Sequence, residues 1–122
     1  MTANFINPDR PASDFADRTE KRLQELGKDQ AMVEAVIDGY EISTSRFFSK
    51  RRDAVTSTAR QIAMSLLYWH TNRTLCEIGR IFRRDHGTVI YARKKVAERM
   101  EAEPDLKSYI EHMERKYFDV DH

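Results

Sequence analysis

Residues 74–96 read TLCEIGRIFRRDHGTVIYARKKV and carry the signals for two helices joined by a short turn. Thr74 and Glu77 stand three residues apart, directly ahead of an apolar pattern, which is the arrangement of a capping box. A short helix is therefore predicted to begin there and to end near Arg83. The residues expected to face inward from it are Leu75, Ile78 and Phe82.

A longer helix is predicted directly after the turn. Asp85 is well placed to cap it, and Pro104 is expected to stop it. Its predicted buried stripe is Val89, Ala92, Val96 and Met100. Because proline suits the first turn of a helix, Pro104 also predicts the start of one more helix. The inward residues of that last helix are expected to be Leu106, Ile110, Met113 and Tyr117.

The chain upstream of residue 74 predicts three more helices. The first begins near Asp29 and has apolar residues at helical spacing, namely Met32, Val33, Val36, Ile37 and Tyr40. The second is short, is capped by Thr44 or Ser45, and carries the core aromatics Phe47 and Phe48 into the basic cluster 50–52.

A third helix should form the centre of the core. Residues 53–58, DAVTST, lack periodicity and are interpreted as a loop, so Ser57 or Thr58 is the predicted cap. The expected buried stripe is Ala59, Ile62, Ala63, Leu66, Leu67 and His70. No segment alternates in the manner of a strand. The predicted fold class is therefore all-α, with about six helices.

The N-terminal part of the chain differs from the rest. Residues 1–12 hold two of the three prolines and no periodicity, so they are predicted to be a flexible tail. Residues 13–28 predict an acidic helical extension broken by Gly27, and this segment is a candidate surface for a protein partner. The compact domain is expected over residues 29–122. With no signal peptide, no membrane-length apolar run and a single cysteine, a cytoplasmic location is expected.

Charge is unevenly distributed along the sequence. Residues 1–45 carry five Lys/Arg against nine Asp/Glu, and residues 100–122 carry three against seven, a balance of −4 in each case. Residues 46–99 carry thirteen against four, a balance of +9. A basic centre between acidic ends is typical of a protein that binds a polyanion, although a merely solvated basic face is the alternative.

Two helices with a tight turn, the second lined by basic residues, form the helix-turn-helix pattern of DNA-binding proteins. In that arrangement the N-terminal residues of the second helix reach base edges in the major groove. Here the exposed leading end would hold Asp85, His86, Thr88 and Tyr91, with Arg93, Lys94 and Lys95 further along and suited to phosphates.

Residues 33–117 resemble the C-terminal DNA-binding domain of the bacterial chromosomal replication initiator DnaA, a helix-turn-helix fold similar to the Trp repressor. The most specific element is EIGRIFRRDHGTVIYARKKV, residues 77–96. A second block, SKRRDAVTSTARQIAM at residues 49–64, looks like the family's basic loop and the start of its central helix. The resemblance implies sequence-specific binding of double-stranded DNA at sites like DnaA boxes, and a role in replication initiation or transcription regulation on the nucleoid.

The resemblance also implies roles for single residues. Arg52 matches the arginine that enters the minor groove, and Arg60 and Gln61 match DNA contacts at the start of the central helix. Leu75, Asp85, His86 and Thr88 are likewise implied to contact DNA. Together with residues chosen from the helix-turn-helix pattern and the basic segment, the full set predicted to contact DNA is Lys50, Arg51, Arg52, Arg60, Gln61, Leu75, Arg84, Asp85, His86, Thr88, Tyr91 and Lys94. Gly87 departs from the family, where threonine is usual, and the turn at residues 83–84 is shorter than the common form with glycine. Because of both differences, the resemblance implies DNA binding but does not imply the family's preferred DNA box.

Other functions fit the sequence less well. DnaA joins this domain to an ATPase, but no GxxxxGK[ST] loop occurs in this sequence, so no bound nucleotide, cofactor or enzymatic activity is expected. The spacing of His70, His86, His112 and Cys76 matches no zinc pattern, so no metal is expected. Two alternatives stay open, namely a protein-interaction module and an RNA-binding adaptor that use the basic central surface.

Overall fold

The computed structural model describes residues 27–121, in which there are six helices and no strand. Helix α1 covers residues 27–39. The others are α2 (Thr44–Phe47), α3 (Ala54–His70), α4 (Leu75–Phe82), α5 (His86–Ala102) and α6 (Pro104–Phe118). The all-α prediction is confirmed. The predictions for the tail at 1–12 and for most of the acidic extension, residues 13–26, lie outside the described residues.

Helix α3 is the centre of the core, as its apolar stripe predicted. It packs against α5 most extensively and also against α2, α4 and α6. The largest fully buried side chains come from α1 to α6 and include Met32, Phe47, Ile62, Leu66, Leu67, Ile78, Phe82, Val89, Val96 and Ile110. His70, at the end of the stripe, is only half-buried: its Nε2 lies 2.5 Å from Oε2 of Glu114, and its ring stacks on Phe118.

Two predicted helix boundaries near the N-terminal side were wrong. Gly27 and Lys28 already lie within helix 27–39, so this helix includes residues ahead of the start predicted near Asp29. A glycine disfavours a helix by only about 1 kcal/mol relative to alanine, which neighbouring contacts can offset. The cap of α2 is Ser43, whose hydroxyl accepts from the Arg46 amide, and not Thr44 or Ser45.

The predicted loop at residues 53–58 was also wrong. Helix α3 begins at Ala54, and its N-cap is Asp53, whose carboxylate accepts from the Thr56 amide. The first turn lacks an apolar period because Ala54 and Val55 face solvent. Ser57 and Thr58, the predicted caps, therefore lie inside the helix.

The helix boundaries around residues 74–104 are confirmed. Thr74 and Glu77 form the capping box of α4, the Asp85 side chain caps α5, and Pro104 occupies the first turn of α6. The far half of α5 is fixed to α3, because the Arg99 guanidinium donates to the Thr58 hydroxyl at 2.9 Å and to the Glu103 carboxylate at 2.8 Å and 3.2 Å. None of the described helices is both long and apolar enough to cross a bilayer.

Candidate nucleic-acid interface

The basic loop, residues 49–53, connects α2 to α3 and is closed at its far end by Asp53. One oxygen of the Asp53 carboxylate accepts from the Arg46 guanidinium at 2.5 Å and from the Thr56 hydroxyl at 2.9 Å. The Arg46 hydrogen bond is the main reason why the pKa of Asp53 lies well below its usual range. The other oxygen accepts from Arg51 Nε at 3.2 Å. The carboxylate is therefore ionised, and it anchors the loop to the helix cap.

Arg60 fixes the basic loop through hydrogen bonds to backbone carbonyls. Its side chain is buried, with 5% exposure, and its guanidinium donates to the backbone carbonyls of Phe47 and Ser49 at 3.1 Å each and to that of Arg51. The expectation that Arg60 and Gln61 stand at the start of the central helix was wrong, because α3 begins at Ala54 and both residues lie in its interior. Gln61 is half-buried beside Arg60.

The turn between α4 and α5 is tight and is closed by backbone contacts. Arg83 adopts the left-handed conformation with φ of 57°, and the Arg84 amide donates to the Gly79 carbonyl at 2.7 Å. This is the usual way to end a helix, although glycine is the common residue at the left-handed position. A Cβ on Gly79 would lie 2.4 Å from the Arg84 carbonyl oxygen, so the turn needs glycine at position 79.

The Arg84 side chain connects this turn to the basic loop. Its Nη2 donates to the Ser49 carbonyl at 2.7 Å, and its Nη1 lies 3.2 Å from the carbonyls of Phe82 and Arg83. Ser49 and Arg84 are 35 residues apart in the sequence. The loop and the turn are thus joined directly by one guanidinium.

The leading end of α5 presents polar groups to solvent. The Asp85 carboxylate accepts from the Thr88 amide at 2.9 Å and from the Thr88 hydroxyl at 3.2 Å, and these hydrogen bonds lower the pKa of Asp85. His86 and Gly87 are exposed at the first two helical positions. Tyr91, one turn later, leaves 59% of its surface exposed. Side chains of this end are therefore free to meet a ligand.

An open groove of about 620 Å³ separates the basic loop from α5. It is lined by Lys50, Arg52, Ser57, Arg60, Gln61, Met64, Arg83, Arg84, Thr88 and Tyr91. Half of these residues are cationic and none is acidic. A groove of one sign of charge concentrates an anionic ligand, and a polyanion that lies along it would meet both walls.

The family model for the bacterial DnaA protein helix-turn-helix matches residues 30–96, which is more than half of the 122-residue chain. The chain belongs to this family. It is 41% identical to the chromosomal replication initiator protein DnaA of Methylacidiphilum infernorum over 76 residues, which are 62% of this chain and 17% of that protein. It is 32% identical to the same initiator of Bordetella petrii over 118 residues, 93% of this chain and 25% of that protein.

The chain therefore spans a quarter or less of the length of these DnaA relatives. The matched region contains the basic loop, the turn and the first half of α5, so the family assignment covers the whole groove. Membership in this family suggests DNA binding. It agrees with the all-α helix-turn-helix architecture that the sequence predicted.

The structure brings seven of the twelve predicted contact residues to the groove, namely Lys50, Arg52, Arg60, Gln61, Arg84, Thr88 and Tyr91. The other five lie outside its lining. Asp85 and His86 are exposed at the start of α5, Lys94 is exposed further along it, and Arg51 is paired with Asp53. The Leu75 side chain packs against the core.

Sequence reasoning did not select Arg83, Ser57 or Met64, which also line the groove. Met64 and Ser57 carry no charge and gave no signal. Arg83 could have been found, because it neighbours Arg84 in the same predicted turn and carries the same charge.

Proposed function

We propose that this chain binds duplex DNA in a sequence-specific manner. Helix α5 enters the major groove, the basic loop faces the neighbouring minor groove, and the intervening phosphate backbone follows the groove between them. The observation that carries the proposal is the groove itself, with five cations, no acidic residue, and the exposed start of a helix on one wall. Family membership supports it.

The phosphate backbone accounts for most of the affinity in this proposal. Lys50 and Arg52 lie on the loop side of the groove, and Arg83 lies on the turn side. Because all three are cationic and face the same opening, they can neutralise phosphates on one strand. Gln61 on the floor and Lys94 on the exposed face of α5 add further polar contacts, and the backbone amide of Leu75 at the start of α4 can donate to a phosphate.

Base reading falls to the first turn and a half of α5. His86 and Tyr91 are exposed, and Thr88 has a methyl group that can meet the methyl of thymine. The Asp85 carboxylate is occupied at one oxygen by Thr88, so only its other oxygen can accept from a base amino group. Gly87 offers no side chain, so the preferred site should differ from that of relatives with threonine there.

The sites are proposed to resemble DnaA boxes. Occupying them would make the chain a regulator of replication initiation or of transcription, because a protein on such a site competes with the full initiator or with polymerase. Both relatives are chromosomal replication initiator proteins, which supports the link to replication.

Selection of bound sequences from a pool of random duplexes tests the proposal directly. Enrichment of one motif is expected, and the selected duplex should outcompete single strands and RNA of the same sequence. If about four phosphates are neutralised, by Lys50, Arg52, Arg83 and Lys94, the logarithm of the binding constant should fall against the logarithm of salt concentration with a slope of about −3.5. Equal competition by RNA would favour the RNA-binding alternative. Affinity that ignores salt would contradict DNA binding altogether.

A pair of variants separates base reading from backbone contact. His86→Ala should weaken the selected duplex by about 1–3 kcal/mol and hardly change an unrelated duplex. Arg52→Ala should weaken both duplexes and reduce the salt slope by about one. Fluorescence anisotropy on labelled duplexes measures both effects. Equal loss on every duplex with His86→Ala would show that α5 does not read bases.

A further inference from the structure

One backbone oxygen in the basic loop is shared by two arginines from different elements. The Ser49 carbonyl accepts from Arg60 Nη1 of α3 at 3.1 Å and from Arg84 Nη2 of the α4–α5 turn at 2.7 Å. Each guanidinium also contacts further carbonyls, those of Phe47 and Arg51 for Arg60 and those of Phe82 and Arg83 for Arg84. The hydrogen bonds thus connect both walls of the groove.

These contacts give the two arginines a different character from the other groove cations. A planar guanidinium has five donors at fixed angles and is suited to bridging several carbonyls, whereas a phosphate contact requires no more than a mobile positive charge. Arg60 is buried, and both its burial and the nearby charge of Arg84 lower its pKa. Because both guanidinium groups are already bound to backbone oxygens, they are less suited to contact phosphates than to hold the loop and the turn together. We call this pair of arginines the clamp.

We propose that Arg60 and Arg84 are positioning residues, which fix the distance between the basic loop and α5 so that both can contact one duplex at once. The proposal rests on the proposed DNA binding, and it assigns these two arginines a role other than the direct contact expected from the sequence. With the clamp in place, the loop is ordered before DNA arrives, so binding does not have to order it.

Arg83 provides a matched control. It neighbours Arg84 in the same turn, carries the same charge and lines the same groove. Its side chain makes no hydrogen bond within residues 27–121, whereas that of Arg84 makes three. Arg83→Lys and Arg84→Lys both keep the positive charge and the tryptic cleavage site. Only Arg84→Lys damages the clamp, because an ammonium group does not reproduce the bridging geometry of a guanidinium. Arg83→Lys therefore serves as the control for loop cleavage and for the effect of Arg52→Ala, and not for the affinity itself.

The first experiment needs no DNA. Limited trypsin digestion is followed by mass spectrometry, and cleavage after Lys50, Arg51 and Arg52 is divided by cleavage after Lys94 in the same sample. Because Lys94 lies within α5, this ratio corrects for any general loosening of the fold. The ratio should rise several-fold in Arg84→Lys and stay at the wild-type value in Arg83→Lys. An unchanged ratio in Arg84→Lys would overturn the clamp, even if both cleavages become faster.

The second experiment measures coupling on the selected duplex. In the wild type, Arg52→Ala should weaken binding about tenfold, in line with the loss of one phosphate or minor-groove contact. In the Arg84→Lys background the same change should have little effect, because the loop is no longer joined to the α4–α5 turn and so is not held against the same duplex as α5. In the Arg83→Lys background it should again be about tenfold. Independent effects of Arg52 and Arg84 would overturn the positioning role.

The two experiments separate this proposal from the proposed function. If the loop is released in Arg84→Lys but no variant binds duplex DNA with salt dependence, DNA binding fails while the clamp stands. If binding is salt-dependent and selective but the loop is cleaved equally in all variants, DNA binding stands and the clamp fails.

Discussion

Gly79→Ala should destabilise the protein, although alanine is the better helix former. Gly79 is buried in the second half of α4, and its carbonyl accepts from the Arg84 amide. A Cβ placed there would lie 2.4 Å from the Arg84 carbonyl oxygen and 3.4 Å from two further backbone carbons. The oxygen belongs to the backbone of a closed turn and cannot rotate away. The α4–α5 turn must therefore shift.

The size of the effect follows from two opposing contributions. Replacing glycine by alanine inside a helix favours folding by about 1 kcal/mol. Overpacking against fixed atoms disfavours it by about 1–3 kcal/mol, and an overlap of this depth with backbone belongs at the upper end of that range. A net loss of about 1–2 kcal/mol is expected, which lowers Tm by roughly 4–8 °C per kcal/mol in a domain of this size class.

Gly87→Ala is the matched control for this experiment. Gly87 also lies in a helix, but the nearest atom to its added Cβ is a side-chain oxygen of Asp85 at 3.3 Å. That variant should be as stable as the wild type or more stable. Thermal unfolding followed by circular dichroism at 222 nm measures both. A Gly79→Ala protein at least as stable as Gly87→Ala would refute the argument, because helix propensity would then outweigh the contact.

Three further predictions concern charge and boundaries. Arg83→Gly should raise the free energy of unfolding by about 1 kcal/mol, since it relieves the left-handed conformation, and should also reduce the salt slope of DNA binding by about one, as parallel denaturation and anisotropy titrations can show. The Asp53 pKa is lowered on folding, so its contribution to stability is present above about pH 4, the unfolded value, and disappears as the pH falls towards the folded value; Tm curves of the wild type and Asp53→Asn should therefore converge in acid, and parallel curves would contradict this. A chain of residues 27–122 should keep wild-type Tm and DNA affinity. A chain of residues 30–122, which also lacks Asp29, should have a lower Tm, because the Asp29 carboxylate accepts from Arg73 Nε at 2.9 Å with both side chains mostly buried.

The sequence predicted helix boundaries well where a local signal decides them. The capping box at Thr74, the cap at Asp85 and the proline at 104 each act within one turn, so a short stretch of sequence contains their whole cause. The start of α3 was missed because Ala54 and Val55 are exposed and the buried residue of the first turn, Thr56, is polar, so this turn has no apolar period. The only signal for this boundary was the N-cap residue Asp53. It directly follows the basic cluster 50–52, so it was interpreted as part of the loop.

The candidate site could be located from sequence, but its members could not be sorted. Three of the predicted contact residues that line the groove are arginines, namely Arg52, Arg60 and Arg84. Residue type alone predicts the same role, contact with DNA, for each of them. Burial and the distance between residues 49 and 84 decide their roles, and both depend on tertiary packing that no local pattern contains. The contribution of Met64 to the groove lining could not be predicted for the same reason.

The attachment of α5 at its far end has a consequence for how such a protein can change its target. Arg99 fixes the trailing half of the helix to Thr58 and Glu103, three turns away from the exposed residues 86–88. The axis of the helix is therefore held by contacts outside the residues proposed to read bases. In the proposed complex, new side chains at 86–88 can alter the preferred sequence while the helix keeps its course, so a change of target site does not require the scaffold to be rebuilt.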